Sequence, residues 1–318
     1  VGVNISMHRK IKKINNREYE YLVESFRLPK GKSTKVEVLI KDKNKKELVR
    51  EIDEKKKKEF LKYMLENYEK DSVFDNKEFE KIENIRVDYR NLLREVPKQA
   101  KKDLFDRFTA NFTYESNSLE GNSLTLKDVS IIMFENSSIK GKDLREIYET
   151  RNSREVVEKI ISNKFKVTEK DIIEMHKILC RDLDISLGYK KFPNVLVGKN
   201  IKLTPPEKVK EEMGNLVRWY NENKEKIHPL RLAALIHGKF EQIHPFEDGN
   251  GRVGRFLINV ILTDNKYPPL IIRKSQRIAY LAALEKFDKK YSIHLERFIL
   301  EKFKETYKKF FEIYVGYI

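Results

Sequence analysis

The chain of 318 residues carries a single cysteine, Cys180. One thiol excludes an intrachain disulfide framework, and no H-x-x-x-H pair or Cys partner supports a zinc site. Cys180 closes the apolar run Ile178-Leu179-Cys180 and reads as a small buried hydrophobe. No apolar run reaches the length of a membrane-spanning helix, and no signal-peptide pattern is recognised. The expected setting is therefore reducing and cytoplasmic, without a membrane partner. Internal repeats and Pro/Gly/Ser-rich linkers are also missing, which excludes a solenoid or a string of tethered modules. Acidic residues are outnumbered, 50 against 66 Lys and Arg, leaving a net charge of +16. Such an excess suits an acidic partner such as nucleic acid. Most of the lysines, however, alternate with Glu and Asp, the pattern of solvated helix faces. The exceptions are Lys55-Lys56-Lys57-Lys58 and the basic start His8-Arg9-Lys10-Ile11-Lys12-Lys13. Neither comes with a helix-turn-helix, RNA-recognition or zinc motif.

What is present is enough for a core, since 40% of residues are apolar. The pattern changes near residue 55. Before it, Tyr19 to Arg27 and Lys35 to Ile40 read as strands, with Pro29-Lys30-Gly31-Lys32 as the turn between them. Glu47 to Ile52 fits either a third strand or the start of a helix. Beyond Lys55 the period becomes helical, through Phe60, Tyr63, Met64 and Tyr68 and again through Ile85, Tyr89, Leu92 and Leu93. Pro97 punctuates the run. His176, His237 and the Trp219-Tyr220 pair fall on amphipathic helical positions and read as structural.

One stretch carries chemistry: Ile243-His244-Pro245-Phe246-Glu247-Asp248-Gly249-Asn250-Gly251-Arg252-Val253-Gly254-Arg255. An amphipathic run, Leu230 to Gln242, leads in, and an apolar run, Phe256 to Leu262, leads out. The spacing predicts helix, anion-cradling loop, helix. Gly249 and Gly251 let successive N–H groups turn inward as a nest, and a helix beginning near Arg252 adds its N-terminal N–H groups. Arg252 and Arg255, three apart, can both grip phosphates in fork geometry. Asp248 suits Mg²⁺, a hard cation that takes one or two carboxylates and otherwise water and phosphate oxygens. His244 is the side chain whose ordinary pKa lies near neutrality. Together these read as a polyphosphate-plus-metal site with a general base.

The stretch resembles the Fic (filamentation-induced-by-cAMP) signature H-x-F-x-[D/E]-G-N-G-R-x-x-R. His244, Phe246, Asp248, Gly249, Asn250, Gly251, Arg252 and Arg255 fill every specified position. The resemblance implies a mainly α Fic-like helical core over roughly residues 105–300, with a β-hairpin flap and a small β-rich N-terminal piece outside it. It implies transfer of AMP from ATP, with Mg²⁺, to a Ser, Thr or Tyr hydroxyl of a target protein. His244 would deprotonate the hydroxyl, Asp248 hold the metal, the Gly249-Asn250-Gly251 turn hold phosphates, and Phe246 anchor the loop.

A second motif, Ser116-x-x-x-Glu120-Gly121, resembles the inhibitory [S/T]-x-x-x-E-[G/N] helix that class II members carry upstream. A helix sets Ser116 and Glu120 on one face. The resemblance then has Glu120 pair with Arg255 in the place of the ATP γ-phosphate; a plain helix end with a glycine stop is the other reading. Gly188 to Asn200 suggests a hairpin resembling the target-clamping flap, with Val195 and Leu196 in it. Gln276 and Tyr280, with Leu284, are candidates for an adenine pocket. The expected organisation is a β-rich region 1–55, a helical connection 56–104, the Fic domain 105–300 with the inhibitory helix at about 112–121, and a C-terminal helix end 301–318. The expected function is an adenylyltransferase autoinhibited by Glu120, with self-modification and a homodimer as further implications. Two alternatives stay open: removal of AMP at the same site, and a nucleic-acid-binding regulator working through the basic N-terminal region.

Overall fold

A computed structural model of the protein describes residues 7–28, 33–135, 139–194 and 203–315. The chain divides into two compact units, residues 1–87 and 88–318.

The first unit contains a three-stranded antiparallel meander, β1 (Met7–Ile14), β2 (Arg17–Arg27) and β3 (Ser33–Leu39), in the order β1-β2-β3. Asn15 and Asn16 join β1 to β2 with φ of 48° and 59°, the backbone of a two-residue hairpin turn matched to strand twist. β1 falls on the basic segment His8 to Lys13, to which the sequence pattern assigns no element. Its apolar residues do not alternate, and its lysines suit an edge strand that resists pairing with other chains. Glu47 to Ile52 lies in helix α1 (Lys45–Asn67), because Asn44 and Glu47 close a capping box at its start. Val36, Val38, Leu48 and Ile52 form the core between sheet and helix. Lys56 and Glu24 make a buried ion pair beside it. Helix α2 (Asn76–Glu95) runs through the division between the units.

The second unit is helical: α3 (Lys98–Leu119), α4 (Leu126–Ser130), α5 (Leu144–Ile161), α6 (Glu169–Leu179), α7 (Pro206–Asn223), α8 (Pro229–Ile243), α9 (Asn250–Asp264), α10 (Arg277–Asp288) and α11 (Ile293–Thr306). α8 and α9 are buried along most of their length. α8 opens on Pro229, whose missing N–H falls where a helix has no use for it, with His228 Nδ1 accepting from the Leu230 N–H. Asn259 in α9 ties down the chain beyond, bonding both the N–H and the carbonyl of Leu270. α3 docks on α9 through Phe112 and Phe256, edge to face at 4.9 Å between ring centroids. Such a pair contributes about 0.5–1.5 kcal/mol beyond its buried area. That contact matters for the site, because α3 ends at Glu120 and α9 carries Arg255.

Candidate active site

α8 ends at His244, which stands in the left-handed region at φ 49°. The turn aims the chain back toward α9, and Gly249, at φ 80°, starts the next helix. Between them the loop is tied to the start of α9 by the Asn250 side chain. Asn250 Oδ1 accepts from the Phe246 N–H at 2.9 Å and its Nδ2 donates to the Phe246 carbonyl at 2.8 Å. The Asn250 side chain is thereby committed to the loop, and its backbone N–H stays with the glycine turn. Phe246 is fully buried and stacks on His176 at 3.8 Å between centroids, with the planes 12° apart.

A cavity of about 490 Å³ opens over this loop. His244, Asp248, Gly249, Asn250 and Gly251 line it together with Glu120 and the segment Phe192-Pro193-Asn194. Its size falls in the range of small-molecule sites. His244 Nδ1 lies 3.8 Å from Glu241 Oε2.

The two arginines of the motif part company. Arg255, 3% exposed, pairs with Glu120 at 2.7 Å. Its Nε and Nη2 also donate to the hydroxyl and carbonyl oxygens of Ser116. Burial pulls the Arg255 pKa down, but Glu120 and Tyr280 together hold it above its usual value. Ser116 and Glu120 thus share one face of α3, while Glu120 is also the helix cap, followed by Gly121 at φ 100°. A Cβ on Gly251 would run into the Glu120 carboxylate, so that carboxylate lies directly against the glycine turn. Arg252 turns the other way, toward Glu149 at 3.6 Å. It is 2% exposed, and its Nε and Nη1 have no hydrogen-bond partner among the described residues. Buried donors left in this state are what an anion at the loop would satisfy.

Asp248 is nearly half exposed and bonds Arg145 of α5 at 2.8 Å. Among the described residues, no cluster of three or more His, Cys, Asp or Glu is placed to hold a metal alone. A single accessible carboxylate beside a phosphate cradle still fits Mg²⁺, which completes its shell with phosphate oxygens and water.

The flap expectation lies partly outside the described residues, Val195 and Leu196 included. Its described base pairs with the loop between α8 and α9 by an antiparallel bridge between Tyr189 and Phe246. Lys190 N–H donates to the Pro245 carbonyl, and Asn194 Nδ2 donates to the Phe246 and Glu247 carbonyls. The geometry does not bring Gln276 and Tyr280 to the cavity. Gln276 is held by Glu305. Tyr280 is 3% exposed and bonds His237 behind Arg255, so its ring serves the core rather than an open pocket.

A sequence model of the Fic/DOC family matches residues 166–262. These residues carry a Fic/DOC domain. The chain is 34% identical over 188 residues to the protein adenylyltransferases Fic of Drosophila melanogaster and Drosophila sechellia, covering 58% of this chain and 37% of theirs. It therefore spans little more than a third of the length of those curated relatives. A Fic-domain signaling protein from Bacteroides thetaiotaomicron superposes with a TM-score of 0.68 at 27% identity, over 74% of this chain and 97% of that one. Fic-1 of C. elegans shares the fold, with a TM-score of 0.65 at 23% identity over 78% and 73% of the two chains. Three residues that meet the loop between α8 and α9 carry no site signal in the sequence: Arg145, His176, which reads there as structural, and Asn194. Asn194 lies inside the expected flap, and its type alone marks nothing. Arg145 and His176 reach the loop from helices 103 and 72 positions away, a distance at which no local spacing signals contact.

Proposed function

We propose that this Fic protein transfers AMP from ATP to a Ser, Thr or Tyr hydroxyl of a protein, and that Glu120 restrains the reaction. The observation that carries the reading is the Glu120 carboxylate bound to Arg255 and lying against Gly251, inside the cavity that His244 and Asp248 line. A side-chain anion there occupies the ground a terminal phosphate would take.

In the proposed reaction the main-chain N–H groups of Gly249, Asn250 and Gly251 hold phosphate oxygens at the start of α9, where the helix dipole favours negative charge. Arg255, released from Glu120, takes the terminal phosphate, and Arg252 adds positive charge from below. Asp248 is the residue that would hold Mg²⁺, which would supply positive charge to neutralise the phosphates. His244 Nδ1 faces Glu241, which leaves Nε2 to accept the proton of the target hydroxyl. The hydroxyl oxygen attacks the α-phosphorus, the bond between the α-phosphorus and its bridging oxygen breaks, and pyrophosphate leaves. Such chemistry needs positioning and charge neutralisation more than a covalent nucleophile.

Supplying ATP labelled on the α-phosphate tests the reading. Label on protein, stronger in Glu120→Gly than in the parent, supports it. A second reading, removal of AMP from a modified target, draws on Glu120 sharing the cavity with His244, where a carboxylate could orient a water. A target already carrying AMP would lose it to the parent and keep it with Glu120→Gly if that reading holds.

A further inference from the structure

We propose that His176 is a positioning residue for phosphate binding, fixing the plane of the Asp248–Gly249 peptide so that the Gly249 N–H faces the cavity. His176 is fully buried in α6, away from the signature itself. Its Nε2 lies 3.1 Å from the Asp248 carbonyl oxygen, and its Nδ1 lies 3.4 Å from the Gly188 backbone nitrogen. A carbonyl only accepts and a backbone N–H only donates. One neutral tautomer therefore satisfies both contacts: hydrogen on Nε2, lone pair on Nδ1. The same ring stacks on Phe246 at 3.8 Å.

The consequence follows from peptide geometry. In a planar trans peptide the carbonyl and the next N–H point in opposite directions. Holding the Asp248 oxygen inward, on His176, turns the Gly249 N–H outward, where it already meets Asp248 Oδ1. If that peptide turned over, a carbonyl oxygen would face the phosphate and repel it. Glycine at φ 80° offers little resistance to such a turn, so the restraint has to come from outside the loop. Cys180 Sγ, 3.1 Å from where a Gly249 Cβ would stand, packs the same side. His176 also joins three elements, since Gly188 opens the flap base that bridges to Phe246.

The inference rests on the phosphate-binding part of the proposed function, so its test reads binding before activity. In the Glu120→Gly protein, pyrophosphate with Mg²⁺ is titrated while the ¹H–¹⁵N signal of Gly249 is followed. A large downfield movement of that amide is expected; an unmoved amide at saturation overturns the proposal. Two variants on the same background separate donor from ring. His176→Gln keeps an N–H donor of similar reach but cannot stack. His176→Phe keeps the stack and has no donor. Losing one N–H contact to a charged group predicts an affinity loss of about tenfold to a hundredfold for the Phe variant. The Gln variant should stay within about threefold of its parent. An unchanged affinity in the Phe variant, or equal losses in both, would overturn the assignment. If the binding pattern holds while no AMP transfer is seen, the transferase reading fails and His176 keeps its role.

Discussion

Acidification from pH 7 to pH 5 should destabilise the second unit through two histidines. Burial holds His176 down from 6.5 to about 4, with Arg252 adding to the effect, and holds His237 to about 3, with Arg255 beside it. Between the native and unfolded values the unfolded chain binds the extra proton. Stability therefore rises with pH across this window and is lost as pH falls below the unfolded value. At pH 5 each histidine removes about 2 kcal/mol, a figure almost independent of the native value once that lies below about 4.5. The pair removes about 4 kcal/mol, a large share of the stability of an ordinary domain. Glu305 stays out of the window. Burial raises Glu305, but Lys302, Lys309 and Gln276 overrule it and hold the group at about 2, so its contribution disappears only below 4.5. The single tryptophan, Trp219, lies in α7 and reports the unfolding of this unit by fluorescence in urea. His237→Leu removes one titrating group, and its loss between pH 7 and pH 5 should be about half that of the parent. An equal loss in variant and parent, or a parent loss under about 1 kcal/mol, would refute the reasoning.

Further outcomes follow from the same geometry. On the proposed mechanism His244→Ala abolishes AMP transfer in the Glu120→Gly protein while leaving ATP affinity, read by calorimetry, within about threefold. Arg145→Ala frees the Asp248 carboxylate from its ion pair, so half-saturation by Mn²⁺, followed by its electron paramagnetic resonance signal, should move to a metal concentration about two- to fivefold lower. Phe112→Ala empties the contact between α3 and α9, destabilises the unit by about 3–5 kcal/mol in urea titration, and raises transfer by loosening Glu120. A destabilised variant with transfer no faster than the parent would separate α3 docking from restraint.

The loop between α8 and α9 was legible because its demands are local. Glycine at 249, the carboxylate at 248 and the arginines at 252 and 255 follow from what a phosphate cradle needs within one turn and a loop. The flanking helices were legible for the same reason, since α8 and α9 each show their apolar period without reference to the rest of the chain. What was not legible depends on distance or on orientation. Arg145 and His176 meet the loop only after α5 and α6 have packed against α9. The bonds by which the Asn250 side chain holds Phe246 appear only once the loop has folded. The split between Arg252 and Arg255 depends on Glu149 and Glu120, each on another helix. β1 is hard to read because a lysine-rich edge strand lacks the alternation that reveals its neighbours, and its best signal is the Asn15-Asn16 turn. Gln276 and Tyr280 carried the right spacing for one face of a helix, but that face meets Glu305 and His237 instead of the cavity.

The most direct test of the central claim compares parent and Glu120→Gly protein, each incubated with Mg²⁺ and ATP labelled on the α-phosphate. The account predicts label on protein from the variant and little from the parent, because removing the carboxylate frees Arg255 and the space over Gly251 for phosphate. Equal labelling by the two proteins would contradict Glu120 as a restraint, and no labelling by either would contradict AMP transfer from ATP.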